Sequence, residues 1–483
     1  MNKGSFISRL VICFAIACLG STLMAFEITS GIAGHQVLQR GVDGTASVTL
    51  KGRSSRAGLL RVSVFRGKHQ LRLAGFADRP LARIQAGGWT ARLSGLPTGG
   101  PYRLRFFVVN DAGAELAAHA VEQVLVGDVW VLAGQSNMVG RAELEKVEKP
   151  HELVHVFRPE GGWAQAKEPL HERRERNNMV IGAGLGLPFA KEMVRRTNVP
   201  VGLIPTAVGG TSLWQWDPAL KTKGRESLYG NMLAQFEASG GMARGMLWYQ
   251  GESDTRPGRV EQYLDRFREF VAAIRADLRR PDLPIYTAQL SRYVVTPSDR
   301  NDATWSAMRE AQRQAARTIE NVGLVSAIDL GLVDLIHVDT EGLRTLGVRF
   351  AKRVCRDLYG NEGGCAGLEP GPRLEGVNWE GPHRLRVKFS GVNGTLAAPG
   401  RVMGFDIRDS EENRLPLVFR AEINEPDEVL LWLIRREQAP DPAFLAYGYG
   451  MDPAANLVDQ EGLAAPAFGP LRLPPRPPVP AGR

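Results

Sequence analysis

The chain has 483 residues, 43% of them hydrophobic and 23% charged, with a formal net charge of +8 at neutral pH. That length points to two or three domains, each able to bury a core, and the composition is that of a globular protein rather than a disordered one. Basic residues lie singly or in pairs (Arg173-Arg174, Arg195-Arg196, Arg279-Arg280) with no long block, which fits solvated faces and argues against nucleic acid as a partner.

At the start, Lys3 and Arg9 precede the apolar run LVICFAIACLGSTLMA, bounded by small residues. This is the build of a secretory signal over residues 1–25, with cleavage expected after Ala25. Polar sequence follows at once, which disfavours a retained anchor, and no other apolar run is long enough to span a bilayer. Cys18, after Ala-Ile-Ala, offers a lipid-modified alternative. The mature chain is therefore expected in the periplasm or outside the cell. Losing Lys3 and Arg9 lowers the net charge from +8 to +6.

Residues 26–123 show short alternating segments (TASVTLKG, LLRVSVFRG, WTARLSGL, YRLRFFVVN) parted by turn residues. Period-two alternation at this spacing predicts an N-terminal β-sandwich. From residue 124 to 368 the texture changes. Apolar strands VWVLAG, VGLIPTA, GMLWYQG, PIYTAQL and NVGLVSAID are interspersed or followed by amphipathic helices such as PFAKEMVRRT and TEGLRTLGVRFAKRVCRDL. Buried strands alternating with helices predict an α/β domain whose parallel sheet is covered on both faces. Short strands return over 369–470 (HRLRVKFSG, VLLWLI), giving a C-terminal β-rich region, and residues 471–483, with PPRPPVP, read as an unfolded tail.

In a mature, exported chain only Cys355 and Cys365 remain, ten positions apart across a glycine-rich stretch. The pair reads as a disulfide, with two free thiols as the alternative. No histidine or further cysteine lies near it, so a metal site is disfavoured.

Functional groups in open parallel sheets gather beyond the carboxyl ends of the strands. Here those ends carry GQSNM, GGTS, QGESD and DLGLVDLIH. A serine, paired glycines, a carboxamide and an acid–histidine pair are what acyl transfer needs. Two serines compete. Gly134 and Ser136 fit half of a G-x-S-x-G elbow, but Met138 replaces the second glycine. Ser253 is flanked by Glu252 and Asp254, whose charges disfavour an alkoxide, whereas Ser136 has neutral neighbours; Ser136 is preferred.

Among the eight histidines, His35, His69, His119 and His383 fall in β-rich flanks, and His171 sits in the charged run HERRER, read as a solvated face. His151 and His155 form HELVH. Zinc binding would need both on one helix face, but Pro150 and Pro159 bracket a segment that reads equally as a strand. His337 follows Asp334 by three residues, just before a helix. At that spacing the carboxylate can accept from one imidazole nitrogen and leave the other as a base. The alternative makes Asp334 a loop residue and Asp339 or Thr340 a helix cap.

The motifs GDVWVLAGQSNM, AVGGTSLWQW, WYQGESD and DLIH together resemble the sialate O-acetylesterase family, a branch of the SGNH-type carbohydrate esterases. VLQR and GGPYRL resemble its N-terminal sandwich, and YGYGMDPAANLVDQEGLAAPAF its C-terminal region. The resemblance implies Ser136 as nucleophile, Asp334 and His337 as the dyad, and oxyanion donors from the Ser136 amide, a glycine amide (Gly209 or Gly210, with Gly210 preferred) and the Gln250 side chain. Asn137, Trp214 and Glu252 are expected at the substrate. The substrate implied is an acetylated carbohydrate, with no metal and no cofactor. The continuation VGR after GQSNM is closer to acetylxylan-type esterases.

Overall fold

The computed structural model describes residues 26–73, 76, 79–171, 181–296, 301–360, 362–434 and 441–477. The leader expected over residues 1–25, with Cys13 and Cys18, lies outside them.

A parallel sheet organises the centre. Its strands run, in spatial order, Gly162–Gln165, Val154–Arg158, Val201–Pro205, Glu115–Gly134, Gly245–Tyr249, Ile285–Gln289 and Val322–Ser326. Every pairing is parallel except the edge hairpin of the first two. The five strands read from the sequence are all here, and Val129–Ala133 is wholly buried, as burial on both faces requires. The helices include Gly186–Thr197, Leu228–Ser239, Tyr263–Asp277, Asp302–Thr318 and Thr340–Tyr359. The first and last of these pack together, and Gly347 makes the crossing possible. A Cβ there would stand 2.5 Å from the Leu185 carbonyl oxygen.

HELVH is not helical: His155 lies on the strand Val154–Arg158, with its Nδ1 2.6 Å from the His35 carbonyl. His171 is buried, not on a solvated face, and burial pushes its pKa down to about 4.

Residues 26–123 form two β layers over one core, with Leu50 and Leu93 from one layer facing Leu60, Leu104 and Phe106 from the other. The junction at 123/124 is not a linker. The strand Glu115–Gly134 passes unbroken from the outer sheet into the central one, and Gln123, with φ of 59°, marks an irregularity where the register shifts. A part-buried ion pair, Arg40 Nε to the buried Asp128 Oδ1 at 3.0 Å, fastens the same junction.

The C-terminal strands form two four-stranded sheets around a third core. The loop Gly448–Met451 docks on the central part through Arg309, which is fully buried and donates to the carbonyls of Leu290, Ser291, Gly450 and Met451. Cys355 and Cys365 are disulfide-bonded, with Cα atoms 5.3 Å apart. The expected unfolded tail is corrected in part. Phe468–Arg472 is a strand, Leu473 is buried, and Arg476 Nε donates to the Pro382 carbonyl at 2.7 Å. Apolar positions before the proline run give this stretch a face to bury. Among the described residues no helix is long and apolar enough to cross a membrane.

Candidate active site

The strand Glu115–Gly134 ends where Gly134 adopts φ of 134° and approaches Tyr249 so closely that a Cβ would meet the Tyr249 carbonyl oxygen at 2.1 Å. The chain turns there into the short helix Ser136–Val139. The Ser136 hydroxyl lies 2.9 Å from His337 Nε2, and His337 Nδ1 lies 2.7 Å from Asp334 Oδ2. Residues 201 positions apart thus form one chain of hydrogen bonds. Ser253, the rival serine, is half-buried, and its backbone N–H is engaged by Gln135 Oε1 at 3.3 Å.

Asp334 orients the ring and also builds its own loop: its Oδ1 accepts from the amides of Ile336 at 2.9 Å and His337 at 2.8 Å. Partial burial pushes its pKa up, but these amides and the imidazole outweigh that and hold the carboxyl below its ordinary value. The helix cap is a separate residue, Asp339, which accepts from Gly342 N at 2.7 Å. Capping and ring orientation are therefore divided between two acids.

The amides of Ser136 and Gly210 have no hydrogen-bond partner among the described residues. Gly210 is exposed, with φ of 66°. Both stand at the ends of neighbouring strands, where an anion could be received.

Gln250 does not fit the oxyanion role expected of it. Its side chain is 0% exposed, and Nε2 reaches Asp254 Oδ2 at 2.7 Å, the Thr211 carbonyl at 3.1 Å and Gln135 Oε1 at 3.2 Å. A carboxylate and a carbonyl can only accept, so the amide orientation is fixed. Both N–H groups are spent inside the protein. Asp254, equally buried, also accepts from Leu213 N at 2.7 Å and pairs with Arg259 at 3.2 Å. Three strand-end turns are stitched together by this pair.

Asn137 and Glu252 are also corrected as substrate contacts. Asn137 is 1% exposed; its Nδ2 donates to Glu252 Oε1 at 2.8 Å and the Ile336 carbonyl at 3.3 Å, while its Oδ1 accepts from Val338 N at 3.0 Å. It fastens the Ser136 turn to the His337 loop. Glu252 is buried beneath it, and burial pushes the carboxyl up to about 7. Trp214 is half-buried against the guanidinium groups of Arg259 and Arg266, 4.9 Å and 4.4 Å from the ring centroid.

Sequence reasoning missed Gln135 and Asp254 as struts, because a polar residue at a strand end carries no mark of which way it points. It also missed Arg141, from the VGR continuation, whose pKa is lowered by burial and drawn back up by the charge of Asp334.

Fold and site together define an SGNH-like carboxylic ester hydrolase. The family described as carbohydrate esterase, sialic acid-specific acetylesterase, matches residues 126–356. A probable carbohydrate esterase of Arabidopsis thaliana is 30% identical over 247 residues, covering 46% of this chain and 88% of that protein. The chain belongs to this carbohydrate esterase family. A crystal structure of a carbohydrate acetylesterase from Xanthomonas citri shares the fold with a TM-score of 0.66, at 24% identity, covering 92% of this chain and 99% of that one. An Arabidopsis thaliana structure, 29% identical, covers 47% of this chain and 98% of its own, with a TM-score of 0.41.

Proposed function

We propose that the chain is an exported serine esterase that removes O-acetyl groups from carbohydrate, sialate esters first, through an acetyl-enzyme intermediate. The observation that carries this reading is the continuous link from Ser136 Oγ through His337 to Asp334, at 2.9 Å and 2.7 Å. His337 Nε2 takes the hydroxyl proton as Ser136 Oγ attacks the acetyl carbonyl carbon. The amides of Ser136 and Gly210 receive the oxyanion. As the tetrahedral adduct collapses, the sugar oxygen leaves with the proton from His337. Water, deprotonated by the same nitrogen, then attacks the acetyl-enzyme and frees acetate.

Half-buried Trp214 is the remaining substrate contact from the sequence reading. Export is supported by the Lys3–Ala25 leader pattern and by the disulfide. Acetate release should be measured across acetylated sialic acids, acetylated xylan and acetylated pectin. Preference for sialate esters supports the reading. Preference for xylan would favour the branch that the VGR continuation resembles. No release from any, with no burst from p-nitrophenyl acetate, would leave a binding protein.

A further inference from the structure

Away from Ser136, a cavity of about 390 Å³ lies between the central sheet's helices and the C-terminal sheets. Five arginines line it: Arg313 and Arg317 from the helix Asp302–Thr318, Arg349 and Arg353 from Thr340–Tyr359, and Arg373 at the start of a C-terminal strand. No lining residue is a carboxylate.

Three of these charges are met from outside the cavity wall. Arg313 pairs with Glu310 at 2.7 Å, Arg349 with Asp329 at 2.6 Å and Arg353 with Asp357 at 2.7 Å. Arg317 and Arg373 form no ion pair with any described residue. Arg373 also feels its neighbours: burial lowers its pKa most, the positive charges of Arg353 and Arg356 lower it further, and the carboxylates of Asp357 and Glu369 only partly offset this. Like charges gathered around one concavity, two of them on the exposed and unpaired Arg317 and Arg373, make a region of positive potential that an anion relieves. All five line the same concavity, Arg349 from a buried position and Arg317 and Arg373 from exposed ones. Leu324, Leu463 and Phe468 contribute to the same wall and offer apolar surface to the uncharged part of a ligand.

We propose that this cavity binds a small organic anion, bearing a carboxylate or a phosphate, with its charge met by Arg317 and Arg373. Guanidinium groups suit both oxyanions because their planar fork matches two oxygens at once. Arg317 comes from the central part and Arg373 from the C-terminal region, so a bound anion would bridge the two and stabilise their docking. The proposal is independent of the esterase reading and survives its failure.

The test is thermal unfolding of the full chain, at ionic strength held constant with KCl, in the presence of inorganic phosphate, glucuronate or glucose. Phosphate or glucuronate at millimolar concentration should raise Tm by about 2 °C or more, because a ligand that binds only the folded state adds to stability. Glucose should leave it unchanged. A response to glucuronate alone assigns a carboxylate ligand, and a response to phosphate alone a phosphorylated one. The double variant Arg317→Gln/Arg373→Gln should lose the response and keep the unliganded Tm, since both side chains are exposed. Each single variant, read in the same way, serves if the double variant does not fold. No shift beyond KCl with either anion, or a shift that persists in the variants, would overturn the proposal.

Discussion

Around Ser136 the polar neighbours are buried and braced from several strands, while the loop that carries His337 is largely open. Gln135, Asn137, Gln250 and Asp254 are all buried, but the Asp334 side chain is 48% exposed and Leu335 is 59% exposed. Ser136 inherits its position from the sheet: Gln135 N donates to the Tyr249 carbonyl at 2.8 Å and Val208 N to the Gly134 carbonyl at 3.1 Å. His337 is positioned by local bonds, with the Ile336 and His337 amides donating to Asp334, Val338 N to Asn137 Oδ1, and Val294 N to the Leu335 carbonyl at 2.8 Å. One half of the proposed machinery is thus part of the core and the other half is a loop pinned to it. Changes on the loop should therefore cost turnover without stability, whereas changes behind the nucleophile should cost stability first.

The largest effect is expected at the dyad. His337→Ala should lower kcat by about 10⁴-fold or more, as should Ser136→Ala, because members of such a unit fail together. Both variants should melt close to the parent. Asp334→Asn should come next, at about 1,000-fold. An amide NH₂ facing Nδ1 would impose the tautomer whose Nε2 already carries a proton and cannot accept one from serine. Calorimetry should find its Tm nearly unchanged, since the side chain is half exposed. A fall of many degrees would show that the loop is as integral to the core as the nucleophile turn.

Gln250→Ala sharpens the contrast from the other side. It deprives the buried Asp254 carboxylate and the Thr211 carbonyl of a donor, a loss of about 1–3 kcal/mol. The expected result is a lowered Tm with kcat within about tenfold of the parent. The opposite result, an unchanged Tm with turnover down by about 100- to 1,000-fold, would restore Gln250 as an oxyanion donor.

The effect confined to one pH window concerns Glu252, whose carboxyl is pushed by burial from 4.5 up to about 7. Between those values the folded protein keeps a proton that the unfolded chain releases. Stability from this group is therefore present below about pH 4.5 and lost as pH rises through about 7. Glu252→Gln should melt with the parent at the acidic end and increasingly above it towards pH 8. A constant difference across that range would mean that the carboxyl does not titrate there.

The central sheet was legible because its strands are continuous apolar runs ending in polar turns, as VWVLA before GQSN shows. The strand Glu115–Gly134 was not legible as one element. Its outer half, ELAAHAVEQ, has weak alternation, and the change of texture near residue 124 reflects a change of sheet rather than a break in the chain. Ser136 could be preferred to Ser253 because its neighbours are neutral, whereas Asp334 and His337 kept an open alternative until the family resemblance implied the dyad. The direction of a carboxamide could not. Gln250, Asn137 and Gln135 are the same kind of residue at the same kind of place, and only packing decides whether such a group faces a ligand or a neighbouring turn. The stretch Phe468–Leu473 was hidden by the proline run that follows it, although Phe468 and Leu473 had a core to join.

The central claim is that Ser136 carries the acetyl group, and acid-quenching the protein during turnover of an acetyl ester tests it most directly. Peptide mass spectrometry should place the acetyl group on the peptide containing Ser136, with more of it when the second step is slowed and none in Ser136→Ala. An acetyl group on the peptide containing Ser253, or steady acetate release from Ser136→Ala, would contradict the account.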